Sequence, residues 1–214
     1  MKRNRKIWLA LLMVTAIYIQ AQDSLVKKSY GGMFSLGMRN VVSAFNDGAW
    51  NNAGVGCGGQ FLLQASNRVN TAWFFDYIKG GIGDYANRTD YHIGWSVMYY
   101  LIPSSTVKQP KFQPFVLAGH CFDYTNLKDN NNSKNFAERW SSAVQAGVGT
   151  HCNLSRRIDV FIQAQYMIHL SNDIDADKEN GKVVFTKESG INLVGHLLIS
   201  FGINCKIVDL WKGK

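Results

Sequence analysis

Arg88-Thr89-Asp90-Tyr91-His92-Ile93-Gly94-Trp95-Ser96-Val97-Met98-Tyr99-Tyr100-Leu101-Ile102 is the stretch that decides the fold. Tyr91, Ile93, Trp95, Val97, Tyr99 and Leu101 share one parity, and Asp90, His92, Gly94 and Ser96 share the other. Only an extended strand sends successive side chains to opposite sides, so this alternation predicts a β-strand with one apolar face and one small or polar face.

Seven further stretches carry the same period, each bounded by Gly, Asn, Asp, Ser or Pro. Residues 31–39 set Phe34, Leu36 and Met38 against Ser35, Gly37 and Arg39, and residues 53–65 set Val55, Cys57, Phe61 and Leu63 against Gly56, Gly58, Gln60 and Gln64. Residues 69–79 oppose Thr71, Trp73, Phe75 and Tyr77 to Asn70, Ala72, Phe74, Asp76 and Ile78. In residues 112–124, Phe115, Leu117 and Cys121 are read as the apolar face, opposite Val116, Ala118, His120 and Phe122. Residues 140–152 and 158–170 place Val144, Ala146, Val148, Val160, Ile162, Tyr166 and Ile168 opposite Gln145, His151, Asp159, Gln163, Gln165 and His169. The last, 191–207, opposes Leu193, Leu197, Ile199, Phe201 and Ile203 to Asn192, His196, Ser200, Gly202 and Asn204.

Eight such strands close either into a lipocalin-like barrel with the apolar face inside or into a membrane barrel with that face toward lipid. Glycine is abundant on the polar face, and Lys and Glu are nearly missing from strand centres. A water-facing surface would carry those charges, whereas a narrow interior favours glycine, so the membrane orientation is expected. The connections agree: residues 66–68, 103–111 and 153–157 make one set, and the generally longer, more polar 40–52, 80–87, 125–139 and 171–190 make the other. Short periplasmic turns and long outer loops have this pattern. Trp73, Tyr77, Tyr91, Tyr99, Trp140 and Tyr166 share the lipid face, several near strand ends where an interfacial belt would lie.

The chain begins with Lys2, Arg3, Arg5 and Lys6, an apolar run over 7–19, and Ile19-Gln20-Ala21 as a cleavage site. Residues 1–22 therefore read as a removable signal peptide, and 23–214 as one outer-membrane barrel domain. Export takes away four basic residues and no acidic one, so the formal charge falls from +8 to +4. Lys27, Lys28, Lys206, Lys212 and Lys214 sit near the mature ends without interleaved aromatics, which gives no nucleic-acid footprint.

With Ala21-Gln22, Tyr91-His92-Ile93-Gly94-Trp95, residues 113–119 (QPFVLAG), 145–149 (QAGVG) and 163–166 (QAQY), the chain resembles the OmpA/OmpX-type small outer-membrane barrels of the porin-like group. The resemblance covers nearly all of the mature chain and implies an eight-stranded antiparallel transmembrane up-and-down β-barrel in the bacterial outer membrane. Its partners would be outer-membrane lipid, the barrel-assembly machinery and an extracellular loop partner. Such barrels usually finish on an aromatic residue, whereas here residues 207–214 trail past the last strand with Trp211 among them.

All four cysteines, Cys57, Cys121, Cys152 and Cys205, fall on the assigned lipid face and read as free thiols acting as small hydrophobes. All five histidines fall on the assigned lumen face. His92, His120, His169 and His196 lie toward the outer half, a candidate transition-metal set, although no close ligand spacing links them. Polar packing of the imidazoles against Asp76, Asp90, Asp159 or glutamines is the simpler expectation. His169-Leu170-Ser171-Asn172 resembles the His-x-Ser-Asn pattern of the lipid A 3-O-deacylases. That resemblance implies His169 as base, Ser171 as nucleophile and Glu188, or Glu179, as the acid that orients the base. An inward His169 does not suit attack on lipid.

The expectation is thus a non-enzymatic barrel without cofactor, its lumen filled by inward Phe74, Met98, Tyr100, Phe122, Phe161, Met167 and Leu198. It would contribute to envelope structure or present outer loops. A deacylase-like hydrolase and a soluble ligand-binding barrel are the alternatives.

Overall fold

A computed structural model describes residues 31–45, 53–104, 109–171, 174–187 and 195–211. The signal peptide expected over 1–22, together with Lys27, Lys28, Glu188, Asn192, Leu193, Lys212 and Lys214, lies outside the described residues.

Eight antiparallel strands form the closed barrel: β1 (Met33–Phe45), β2 (Gly54–Gln64), β3 (Val69–Ile82), β4 (Ala86–Tyr100), β5 (Phe112–Asp129), β6 (Phe136–Asn153), β7 (Ile158–His169) and β10 (Gly195–Asp209). Neighbours follow chain order, and β1 pairs with β10 to close the ring. Between β7 and β10 the chain makes a separate hairpin of β8 (Ile174–Glu179) and β9 (Lys182–Lys187). Its turn residues, Asn180 and Gly181, have φ of 48° and 77°. That pair of positive φ values is what a two-residue hairpin turn requires.

The apolar face points outward. Leu36, Val55, Trp73, Ile93, Val97, Val148, Ile162 and Phe201 are exposed on the wall, whereas Ser35, Gln60, Asn70, Ser96, Gln145, Gln165, Ser200 and Asn204 are buried inside. This arrangement inverts a soluble barrel and removes the lipocalin-like alternative.

Cross-strand register also locates the outer edge of the bilayer. Tyr77, Tyr91, Tyr124 and Trp140 are successive partners around β3–β6, with ring centroids 5.1, 6.0 and 4.8 Å apart. One outward position further out, the partners are Lys79, Thr89, Asn126 and Glu138. An amphipathic aromatic row capped by a polar row is the signature of a membrane interface. A charge below this line should therefore be costly and one above it tolerated: Val97→Arg is expected to destabilise the barrel by about 2–4 kcal/mol and Thr89→Arg by no more than about 1 kcal/mol. Denaturant titration of barrel refolded into lipid vesicles measures both, and equal costs would refute the placement.

Three expectations need correction. The first concerns β5, where Phe115, Leu117 and Cys121 are buried and Phe122 and Val116 are exposed, the reverse of the assigned faces. Both parities of this strand are apolar, and the deciding residues are Gln113, Asp123 and Thr125, which share parity with Phe115 and are buried. Turning them toward lipid would strand a carboxylate in hydrocarbon. Hence Cys121 and Phe122 exchange sides, and His120 faces outward. Cys57, Cys152 and Cys205 keep the outward side, and all four cysteines are free thiols.

The second concerns the outer connections. Much of the loop sequence at 40–52, 80–87 and 125–139 is strand, because β1 runs to Phe45, β3 runs to Ile82, β4 starts at Ala86, β5 runs to Asp129 and β6 starts at Phe136. Above the bilayer a strand needs no apolar outer face, so the alternation that marks it below disappears. The third concerns the C-terminal end, where β10 runs to Asp209, paired with Met33, and the Leu210 N–H donates to the Gly32 carbonyl at 2.8 Å. Trp211 packs over Gly31 and Gly32, where an added Cβ would collide with its ring.

Candidate functional site

The polar face of the strands converges on the lumen, where apolar and polar layers alternate. Near the periplasmic end, Leu62, Ala72, Met98, Tyr100, Phe115 and Leu117 pack together. A second cluster, with Phe74, Ile78, Cys121, Met167 and Leu198, lies nearer the outer end. Glycines make room for the rings: a Cβ on Gly149 would meet Phe115 Cζ at 2.5 Å, and one on Gly94 would meet Phe74 Cζ at the same distance.

Arg39 is the largest fully buried side chain among the described residues and reaches in from β1. Its Nε lies 3.0 Å from Asp76 Oδ1, a contact of opposite charges without the direction of a hydrogen bond. Its other nitrogens donate to Ser200 Oγ at 2.8 Å and Gln60 Oε1 at 3.4 Å, and the guanidinium lies 4.5 Å over the Phe74 ring. Gln60 Nε2 donates onward to Asn204 Oδ1 at 2.7 Å, and Asn204 Nδ2 donates to Asp159 Oδ1 at 2.8 Å. His151 Nδ1 meets the same oxygen at 2.7 Å, and Lys206 Nζ lies 3.6 Å from Asp159 Oδ2. One connected set of polar groups therefore runs from mid-barrel to the periplasmic mouth, where a cavity of about 20 Å³ remains.

The outer layer holds three of the histidines. His169 Nδ1 faces Asp123 Oδ1 at 3.3 Å, and its Nε2 faces His196 Nδ1 at 3.4 Å. His92 stacks on His196 from the opposite wall, with centroids 5.8 Å apart. Arg139 Nη2 donates to Asp123 Oδ2 at 3.2 Å and Thr125 Oγ1 at 3.3 Å, while Thr125 Oγ1 donates to Asp90 Oδ1 at 2.6 Å. Arg88 Nε pairs with Asp90 Oδ2 at 2.9 Å. Above this layer sit Ala86 and Leu127 of the barrel and Ile174, Ala176 and Val183 of the β8–β9 hairpin. Tyr85 Oη donates to the Ala176 carbonyl, and Asn135 Nδ2 to the Val183 carbonyl, both at 2.9 Å.

The candidate residues thus separate. His92, His169 and His196 come together, His151 sits alone at the other end with Asp159, and His120 leaves the set altogether. On the outer wall His120 Nε2 meets Ser142 Oγ at 2.6 Å, so each polar group satisfies the other where water is absent. His169 is buried in the lumen with its two nitrogens toward Asp123 and His196, Ser171 lies just past the end of β7, and Glu188 lies outside the described residues. Asp123 and Arg139 were hidden from sequence reading by the inverted parity of β5 and by the loop assignment of 125–139. The sequence puts Arg39 on the inward parity at the end of a strand; β1 runs on to Phe45, so Arg39 stands in mid-strand and its guanidinium meets Asp76 inside the barrel.

A closed eight-stranded barrel with an apolar outer wall, an aromatic belt and a polar lumen is a transmembrane barrel of the bacterial outer membrane. Among solved structures it is similar to Neisserial surface protein A, with a TM-score of 0.54 at 14% identity over 82% of this chain and 97% of that one. It is also similar to the outer membrane protein OprG from Pseudomonas aeruginosa, with a TM-score of 0.52 at 14% identity over 85% and 99%. These likenesses are of fold. No family model matches the sequence, and no curated protein matches it.

Proposed function

We propose that the protein is a non-enzymatic, non-conducting outer-membrane barrel that holds its β8–β9 hairpin and the extended β5–β6 ribbon outside the cell, for envelope structure or for a partner. The observation that carries this reading is the lumen. Tyr100, Phe115, Phe74, Met167 and Leu198 fill much of its cross-section in two layers, and the Arg39 network occupies the space from the upper layer past the lower one to the periplasmic mouth. Eight strands leave an interior only wide enough for side chains, so no continuous water path is expected. The hairpin adds a cover at the outer mouth, held by apolar contacts and two hydrogen bonds. Outer-membrane lipid against the aromatic belt and the barrel-assembly machinery on the β1–β10 seam are the partners this reading requires.

Planar-bilayer recording on the purified, refolded protein tests it. The baseline should stay flat at all voltages, and steady ohmic steps that scale with protein added would overturn the closed lumen. Extraction of membranes with alkaline carbonate should leave the protein in the pellet, whereas release would remove the integral placement.

A further inference from the structure

We infer that His92, His169 and His196 form a luminal binding site for a borderline divalent transition metal of the Zn²⁺, Ni²⁺ or Cu²⁺ class, just inside the outer mouth. Three observations converge on it. First, His169 Nε2 and His196 Nδ1 face each other at 3.4 Å, long for a hydrogen bond between nitrogens. Two imidazole nitrogens bound to one tetrahedral metal at about 2.0–2.1 Å stand roughly 3.3–3.4 Å apart, so the pair is already spaced as two corners of a coordination tetrahedron.

Second, His169 is oriented as a metal ligand is. A carboxylate on the far nitrogen fixes the tautomer: with Nδ1–H donated to Asp123 Oδ1 at 3.3 Å, the Nε2 lone pair points at His196. Arg139 holds Asp123 from behind at 3.2 Å. Third, His92 is 1% exposed, and neither of its ring nitrogens has a hydrogen-bond partner among the described residues. Buried polar groups are ordinarily paired, so an orphaned imidazole stacked 5.8 Å from the His169–His196 pair points to a missing partner.

Among the described residues no three donors yet meet at one point. The site therefore requires the His92 ring to turn toward the pair, the fourth position being left to solvent. The layer lies between the apolar cluster of Cys121, Met167 and Leu198 and the hairpin roof, so the metal arrives from the outer side under β8–β9. Neutral imidazoles with a carboxylate in the outer shell select Zn²⁺, Cu²⁺ or Ni²⁺ over Mg²⁺ or Ca²⁺, which take oxygen ligands.

The full barrel, folded from urea into detergent with Co²⁺ or Zn²⁺ present and then passed through a desalting column, tests this. Expected are one retained metal per chain, visible absorption bands of four-coordinate Co²⁺ that Zn²⁺ abolishes, and no retention of Mg²⁺. His92→Ala and His196→Ala should each weaken binding at least the roughly tenfold that loss of even an outer-shell partner produces, while His151→Ala should leave it unchanged. Heat-modified migration on a gel checks that each variant is folded. Should a variant fail to fold, nitrogen couplings in the Cu²⁺ electron paramagnetic resonance of the wild type decide: two or three bound imidazoles uphold the site. Absence of saturable binding to wild type, or equal binding by His151→Ala, His92→Ala and His196→Ala, overturns it.

Discussion

Replacing Arg39 by alanine is expected to cost the barrel about 3–5 kcal/mol, the range for breaking a buried ion pair from one side. Arg39 and Asp76 are both cut off from water, and among the described residues neither carboxylate oxygen has a hydrogen-bond donor. The truncation would leave an uncompensated anion, empty the space over Phe74, and unhook Ser200 and Gln60. Removing both charges with groups of similar volume should hurt much less, because the desolvation penalty of both ions disappears with their attraction. The expected order of stability is therefore wild type near Arg39→Met/Asp76→Leu, and both well above Arg39→Ala. Urea titration followed by tryptophan fluorescence in vesicles gives the order. A double variant as unstable as the single one would mean that the pair is held for its hydrogen bonds to Ser200 and Gln60 and not for charge balance.

The wall and the lumen of this barrel were legible in sequence wherever one parity carried charge or glycine and the other did not. In β4, Asp90, His92, Gly94 and Ser96 face Tyr91, Ile93, Trp95 and Val97 across the backbone, and the observed sides follow. The rule failed in β5 because Phe115 and Leu117 are as apolar as Val116 and Phe122. There hydrophobicity is no guide, since lipid and a well-packed lumen layer make the same demand on a side chain. The information sat on either side of the apolar run, in Gln113 and Asp123. The candidate site suffered from the same error: with β5 inverted, Asp123 was out of reach of the histidines and His120 was among them. The β8–β9 hairpin was illegible for a different reason. It is short, polar on its outer side, and stabilised by contacts with Ala86 and Leu127 that are distant in sequence. Its Asn180-Gly181 pair was its clearest local signal.

Phe115 offers the sharpest test of that corrected interior. Its ring lies edge-on to Tyr100, 5.1 Å from the His151 ring, and over Gly149 on the adjoining strand. Lipid can flow into a gap on the outer wall but not into one inside, so Phe115→Ala should pay both the transfer and the cavity terms, about 3–5 kcal/mol. Gly149→Leu alone should cost about 1–3 kcal/mol by overpacking, because its Cβ would lie 2.5 Å from Phe115 Cζ, 2.7 Å from Gln163 Cβ and 2.8 Å from the Ile162 carbonyl oxygen. The two defects are complementary in space: one leaves a hole where the other inserts atoms. The double variant is accordingly expected to cost less than the sum of the two single variants, a coupling of opposite sign to the single effects and larger than the additivity error of about 0.5 kcal/mol, although the contacts of residue 149 with Gln163 and the Ile162 carbonyl persist. If β5 instead turned Phe115 toward lipid, the ring and Gly149 could not share a space. The two costs would then simply add, so the sign of one double-mutant cycle reports which way this strand faces.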